Sequence, residues 1–260
     1  MKIGKIFTRI ISVILVAALL FSEQEFSVFA ESIETEGYVE NSILYSGIDG
    51  DLEWSIDENG VLRISGVGDY EDDGNEDDIC DGENGQYEGD WREYSDYITS
   101  AVVNVSGITS TRRMFYRCWR LESIDVTNLD TKNVTNMKEM FGLCNVLSSI
   151  NVNGFNTKNV TNMSCMFLHC GNLTNIDVTN FDTQNVTDMS DMFAGCGKLS
   201  SIDVTNFNTE NVINMSEMFR DCNRLSNLDV RSFNTQNLRE TSGMFWGCCQ
   251  LSNLDMSETR

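Results

Sequence analysis

From Gly107 onward the chain repeats itself every 26 residues. The pair Met-Phe recurs at Met114-Phe115, Met140-Phe141, Met166-Phe167, Met192-Phe193, Met218-Phe219 and Met244-Phe245. A cysteine stands three residues after each Phe, at Cys118, Cys144, Cys170, Cys196, Cys222 and Cys248, and a leucine three further on, from Leu121 to Leu251. Chance does not give six matches at one spacing. One such unit is too small to bury its own apolar face, so the units must stack and every repeat position must become a column.

The unit reads M-F-x-x-C-x-x-L-x-x-I-D-V-T-x-F-x-T-x-N-V-T-x-M-x-x. Met137, Met140, Phe141 and Cys144 fall at offsets 0, 3, 4 and 7, which predicts one or two turns of helix with a single apolar face. Ile150 and Val152 alternate with polar neighbours, as a short strand requires, and Phe155 closes the core. The fold class expected is an α/β solenoid of leucine-rich repeat type, with one short parallel strand and one short helical turn per coil. Five full repeats and a partial sixth fill residues 108–260. Strands about 4.8 Å apart would make a body on the order of 25–30 Å long.

Two columns are read as structural. Asn133, Asn159, Asn185, Asn211 and Asn237 are expected at a buried corner, bonding to the backbone of adjacent coils. Asn133-Val-Thr135, Asn159-Val-Thr161 and Asn185-Val-Thr187 also fit the glycosylation pattern, but the repeat consensus itself generates those matches. The cysteine column suits a repeat core as small buried thiols. Disulfides between neighbouring coils are the alternative in an exported chain. The spacing is not C-x-x-C, so no zinc site is expected. Of the other three cysteines, Cys165 occupies the position of Glu139, Asp191 and Glu217 and is expected to be exposed, open to modification or an intermolecular bridge. Cys249 follows the column, and Cys80 lies in an acidic segment.

The strand positions that face outward form a polar surface. Ser123, Ser149, Asn175, Ser201, Asn227 and Asn253 make one row. Asp125, Asn151, Asp177, Asp203, Asp229 and Asp255 make the next, and Thr127, Asn153, Thr179, Thr205, Arg231 and Ser257 the third. Stacked carboxylates repel unless solvent, cations or a basic partner neutralise them. The candidate binding residues are Asp125, Asp177, Asp203, Asp229, Asp255, Thr179, Thr205 and Arg231, on a face of the kind solenoids present to protein partners.

Ahead of the repeats the composition changes. Residues 31–107 carry 22 acids against 2 bases, most of the chain's net charge of -22. That balance opposes nucleic-acid binding and adsorption to anionic lipid. Leu52, Trp54 and Ile56 alternate, as do Leu62 and Ile64, with Asp57-Glu58-Asn59-Gly60 between them. This predicts a hairpin, and a further strand is expected over Ala101 to Val105. The region 31–107 is therefore read as a β-rich N-terminal cap that hides the first coil. The acids from Asp72 to Glu83 are expected to form a solvated loop; their clustered oxygens could bind calcium, although they do not match the twelve-residue calcium loop. Residues 1–30 have the form of a signal peptide: Lys2, Lys5 and Arg9, an apolar run from Ile10 to Phe21, and Val28-Phe29-Ala30 before a mature start at Glu31. The apolar run is short for a membrane anchor, the other reading.

No G-x-S-x-G, H-E-x-x-H, phosphate-binding or dinucleotide fingerprint is present. The single histidine, His169, sits at a variable position of the repeat. Polar residues are copied from coil to coil instead of being gathered into one singular cluster. An enzyme is not expected, nor any cofactor or metal.

Through N-V-T-x-M-x-x-M-F-x-x-C-x-x-L-x-x-I-D-V over residues 108–260, the chain resembles the BspA-like leucine-rich repeat surface proteins of bacteria. Leu52 to Gly66 is similar to the segment that often precedes such repeats. The resemblance implies a secreted or cell-surface protein that binds an extracellular protein or glycoprotein of a host or neighbouring cell. A second reading is an assembly component that self-associates through an uncapped C-terminal coil, since the sequence stops within its sixth unit.

Overall fold

The computed structural model describes residues 42–71 and 90–255. The signal-like start, the acids from Asp72 to Glu83, Cys80 and Ser257 lie outside the described residues. Five strands form the first sheet: β1 (Ile43–Asp49), β2 (Leu52–Asp57), β3 (Val61–Val67), β4 (Ser100–Ser106) and β5 (Ser123–Leu129), in that order across it. The β1–β2 and β2–β3 pairs are antiparallel; β3–β4 and β4–β5 are parallel. The expected hairpin is β2–β3, with Trp54 opposite Ile64 and Ile56 opposite Leu62. Asp57 organises its turn: Oδ1 accepts from the N–H groups of Asn59 at 2.9 Å and Val61 at 3.1 Å. Gly60 has φ +76°, and a Cβ there would lie 2.3 Å from the Tyr97 carbonyl, so only glycine fits. Strand β1 escaped the sequence reading because Ile43, Leu44 and Ile48 are all exposed and leave no alternating pattern.

A 3₁₀ turn, Trp91–Tyr94, brings Trp91 fully into the core. Its neighbour Arg92 is buried as well, held by Asp90 and by Asp49 at 3.4 Å. One core runs from Leu52 to Met244, and the first sheet crosses from the acidic region into the first coil without a break.

The helical turns expected on the Met-Phe side are absent from the described coils. In their place each coil makes overlapping tight turns, such as Met140 N–H to Met137 O at 3.2 Å and Gly142 N–H to Glu139 O at 3.1 Å. Alternate N–H groups leave the coil altogether. Those of Met137, Glu139, Phe141 and Leu143 donate to the carbonyls of Asn162, Ser164, Met166 and Leu168 in the next coil, at 2.7–3.0 Å. An α-helix would direct these donors to its own i−4 carbonyls; here the neighbouring coil takes them. The geometry requires a left-handed residue at every fourth position. Arg113, Arg117, Glu139, Leu143, Cys165, His169, Asp191, Glu217 and Asp221 all have φ between 54° and 65°. That conformation costs an ordinary residue roughly 1–2 kcal/mol. The inter-coil hydrogen bonds and the complete burial of Met137, Met140, Phe141 and Cys144 offset it. At Gly195 (φ +73°) an added Cβ would lie 2.2 Å from the His169 ring, which would have to move to admit it.

The strand side also departs from expectation. Strands occur at β5, at β6 (Asn227–Asp229) and at β7 (Asn253–Asp255), the last two paired in parallel. Residues 149–153 and 175–179 form no strand, and Ser201 joins Asn227 by a single bridge. The continuous backbone ladder lies on the other side, where bridges link Ser110, Asn136, Asn162, Asp188, Asn214 and Glu240 in succession. The rings of Phe115, Phe141, Phe167, Phe193 and Phe219 stack at 5.6–5.7 Å with planes within 9°. With the coils already at stacking distance through rings and turns, the I-D-V segments need no ladder of their own.

Candidate functional site

Three side-chain ladders hold the coils in register. In the cysteine ladder each Sγ donates to the carbonyl of the Phe one coil back: Cys144 to Phe115, Cys170 to Phe141, Cys196 to Phe167 and Cys222 to Phe193, all at 3.2 Å, and Cys248 to Phe219 at 3.0 Å. These thiols, with Cys118, are free. Burial raises their pKa, to about 12 at Cys118 and Cys170. In the asparagine ladder Nδ2 of Asn159, Asn185, Asn211 and Asn237 donates to the carbonyls of Lys132, Lys158, Gln184 and Glu210 at 2.7–2.8 Å. All five asparagines are exposed, not buried as expected: one amide arm reaches back to the previous coil while the rest of the side chain stays in water.

The third ladder was overlooked in the sequence. Thr131, Thr157, Thr183 and Thr209 are buried at about 1% exposure. Each hydroxyl donates to a carbonyl in the next coil, that of Asn156, Asp182, Asn208 or Asn234, at 3.0–3.2 Å. At Thr131, Thr157 and Thr209 the hydroxyl also accepts the N–H of the same residue at 2.7 Å. The signal was in the consensus as F-x-T, where the fixed threonine is a polar residue in an inward position.

Cys165 is buried and disulfide-bonded, against the expectation of an exposed thiol. Its position is left-handed and its side chain packs against Leu168 and Ala194. The acidic neighbours that suggested exposure are not free surface groups either. Glu139 is fully buried and paired with Arg113, itself 1% exposed. Asp191 and Glu217 share Arg220, at 3.8 Å and 2.6 Å. Burial, then the Glu217 charge, raises the Asp191 pKa to about 6. His169 is half-buried, and that burial lowers its pKa.

The polar face has the most regular exposed chemistry. Each aspartate accepts from the residue two places on. Asp125 Oδ1 takes the Thr127 N–H at 2.9 Å. Asp177 and Asp203 each take both the N–H and the hydroxyl of Thr179 and Thr205, at 3.0–3.1 Å and 2.6 Å. Asp229 takes the Arg231 N–H at 3.1 Å and its guanidinium at 2.6 Å and 3.0 Å. These donors hold the carboxyls below the usual range, Asp229 at about 2, so all four remain ionised at neutral pH. The charges of Asp177 and Asp229 act on Asp203 only as smaller, opposing influences. The second oxygen of Asp203 has no protein donor among the described residues. Asp203 lines a groove of about 530 Å³ together with Ser201, Thr205, Asn227, Asp229 and Arg231. Asp255 lies in β7.

The face extends beyond the repeats. Register across the first sheet places Asp125 in one outward row with Val102, Arg63, Ser55 and Ser46. Among the described residues no cluster of three His, Cys, Asp or Glu side chains could hold a metal ion, and no helix is long and apolar enough to cross a membrane.

Comparison with known proteins gives a sequence-family match over residues 93–176 and 169–259, to the family described as "Mycoplasma protein of unknown function, DUF285". No curated protein matches. Among solved structures, a leucine-rich repeat protein of T. pallidum is 16% identical, with 80% of this chain and 92% of that one covered and a TM-score of 0.43. A leucine-rich repeat protein from Bacteroides ovatus ATCC 8483 is 15% identical, with 81% and 70% covered and a TM-score of 0.35. One from Eubacterium ventriosum ATCC 27560 is 14% identical, with 79% and 95% covered and a TM-score of 0.26. All three are leucine-rich repeat proteins, the class that the sequence motif resembles.

Proposed function

The chain belongs to the DUF285 family, and from that footing we propose that it is a secreted or cell-surface binding module that engages an extracellular protein or glycoprotein through the polar face of its coils. The observation that carries this reading is the row of ionised aspartates at Asp125, Asp177, Asp203 and Asp229, fixed by local donors and exposed or half-exposed. Their charge is neither buried nor consumed in holding coils together. A row of oriented carboxylates beside a groove suits a partner that offers lysine or arginine side chains, and such pairs steer encounter and set specificity. Thr179, Thr205 and Arg231 would place hydrogen-bonding groups at the rim. The polar groups repeat along the face and, among the described residues, no nucleophile–base pair stands apart from them, which favours a reading of binding over catalysis.

The test is binding of residues 31–260 to a panel of host matrix and cell-surface glycoproteins, with calcium and with chelator. Saturable binding to one member is expected, weakened at least tenfold by Asp177→Lys, Asp203→Lys and Asp229→Lys together, with the circular dichroism spectrum unchanged. Binding that ignores this triple charge reversal would move the site to another face.

A further inference from the structure

The chain has nine cysteines. Seven carry free thiols, the six of the repeat column and Cys249. Cys165 is disulfide-bonded. A disulfide within one chain needs a second cysteine, and Cys80 is the one left.

Burial along the coils points the same way. Repeat symmetry makes the outward positions of successive turns equivalent, so stacking alone would expose them equally. They are not equally exposed. Arg113, Glu139 and Cys165, in the first three coils, are buried, whereas Asp191 and Glu217, at the same position in the fourth and fifth, are half-buried. Three residues on, Tyr116, Gly142, Leu168 and Ala194 are buried and Arg220 is half-buried. The fourth and fifth coils have a coil on either side, so the difference is not an end effect. It is imposed from outside the coils, over the first of them. Cys165, Leu168 and Ala194 form an apolar cluster there, separate from the main core.

We infer that Cys165 is cross-linked to Cys80, and that the acidic segment between Glu71 and Asp90 is pinned across the turn side of the first three coils. Both ends of that segment are fixed at the first coil. The Tyr70 hydroxyl donates to the Arg112 carbonyl, and Trp91 Nε1 donates to the Met114 carbonyl at 2.8 Å. Cys165 lies two coils further on, with 5.6 Å between phenylalanine rings at each step. Cys80 is nine residues from Glu71 and ten from Asp90, and nine residues of chain span up to ~30 Å. Charge favours the same path. Eight acids and no base lie from Asp72 to Gly89, and the turn side begins with Arg113 and Arg117 over the Tyr116 ring. In forming the bond the two thiols give up two protons and two electrons to a disulfide oxidant such as oxidised glutathione, whose own S–S bond opens to two thiols. The cross-link keeps partners off this side of the first coils while the polar face stays open. It does not rest on the function proposed for that face.

The experiment folds the full chain in a glutathione redox buffer, blocks free thiols in denaturant without reductant, and maps the fragments by mass. Seven blocked thiols per chain are expected, with one pair of fragments joining Cys80 to Cys165. Cys80→Ser is expected to free Cys165 and give a chain in which every remaining thiol is blocked. Nine blocked thiols in the unaltered chain overturn the inference, as does Cys165 joined to any other cysteine or to a second chain. A protease specific for acidic residues then tests the placement. Leu168→Asp puts a charge at a position where the fifth coil carries Arg220, so the stack survives, as the circular dichroism spectrum would show. Cleavage between Asp72 and Glu88 is expected to be at least tenfold faster in Leu168→Asp and in Cys80→Ser than in the unaltered chain. A cleavage rate that neither variant changes overturns the placement on the turn side.

Discussion

Thr157 offers a direct measure of what one rung of the solenoid contributes. Its side chain is 1% exposed. The hydroxyl donates to Asp182 O at 3.0 Å and accepts from Asp182 N–H at 2.7 Å, so one small group satisfies both backbone groups of a residue in the next coil. Thr157→Val keeps nearly the same shape and removes both bonds. A net hydrogen bond contributes about 1 kcal/mol, and a buried group left without a partner costs about 1–3 kcal/mol. Asp182 is exposed at its side chain and its amide is only partly shielded, so water recovers some of the loss. The expected destabilisation is about 2–3 kcal/mol. Thr157→Ser keeps the hydroxyl and loses one methyl group, costing about 1 kcal/mol. Urea unfolding followed by circular dichroism ranks the two variants, and amide exchange at Asp182 should quicken in the valine variant alone. If the serine variant is the less stable of the two, the threonine column works through packing and the hydrogen-bond account is wrong.

Asp191 should make stability depend on pH in the unusual direction. Its folded pKa of about 6 lies above the usual value near 3.8, so the folded state holds the proton more tightly and stability falls as pH rises from about 4 to about 6. Asp191→Asn, well suited to a left-handed position, should remove that slope and stabilise the chain at pH 7 by about 1 kcal/mol, since solvent screening and the lost attraction to Arg220 reduce the full shift; a wild-type-minus-variant difference that stays constant across pH 4–7 in urea titrations would refute this. The thiols should divide sharply. Alkylation of the folded chain at pH 8 is expected at exposed Cys249 and slowly at Cys248, with Cys118, Cys144, Cys170, Cys196 and Cys222 reacting only on unfolding, because burial keeps them protonated. Mass mapping that finds rapid native labelling of Cys144 or Cys170 would mean that the core opens far more readily than its packing implies.

The period and the columns were legible in the sequence because stacking enforces them: an inward position cannot vary without breaking its neighbours' packing. Local backbone conformation was less legible. Met137, Met140, Phe141 and Cys144 satisfy helical spacing, but a series of tight turns with a left-handed residue at every fourth position buries the same set. The distinguishing signal lay in the intervening residues, where Gly195, Gly243 and Gly247 occupy positions a helix would rather fill with alanine or leucine. Cys165 was misplaced for a related reason. Its column contains Glu139, Asp191 and Glu217, and charge was read as exposure. In the structure Glu139 is buried against Arg113, a partner 26 residues away that only the coil spacing brings near.

The departure from a helical side bears on what the polar face can do. The turns spend their alternate donors on the next coil, and the threonine, asparagine and cysteine ladders add side-chain bonds between coils. Stacking is thereby secured without the I-D-V segments, which pair as strands only at β5, β6 and β7 among the described residues. At 149–153 and 175–179 the polar positions bond chiefly within their own coil, as Asn151 does to the Asn153 N–H at 3.1 Å and Asp177 to that of Thr179. A face organised this way can change its side chains coil by coil without loosening the stack. Arg231 shows such a change: it replaces the threonine of Thr179 and Thr205, still serves the preceding aspartate through its N–H, and adds a cation to the groove. If the polar face is the binding face proposed above, stability and recognition fall on different sides of the same coil, which is the condition a repeat needs if its surface is to be tuned to a partner while its core stays fixed.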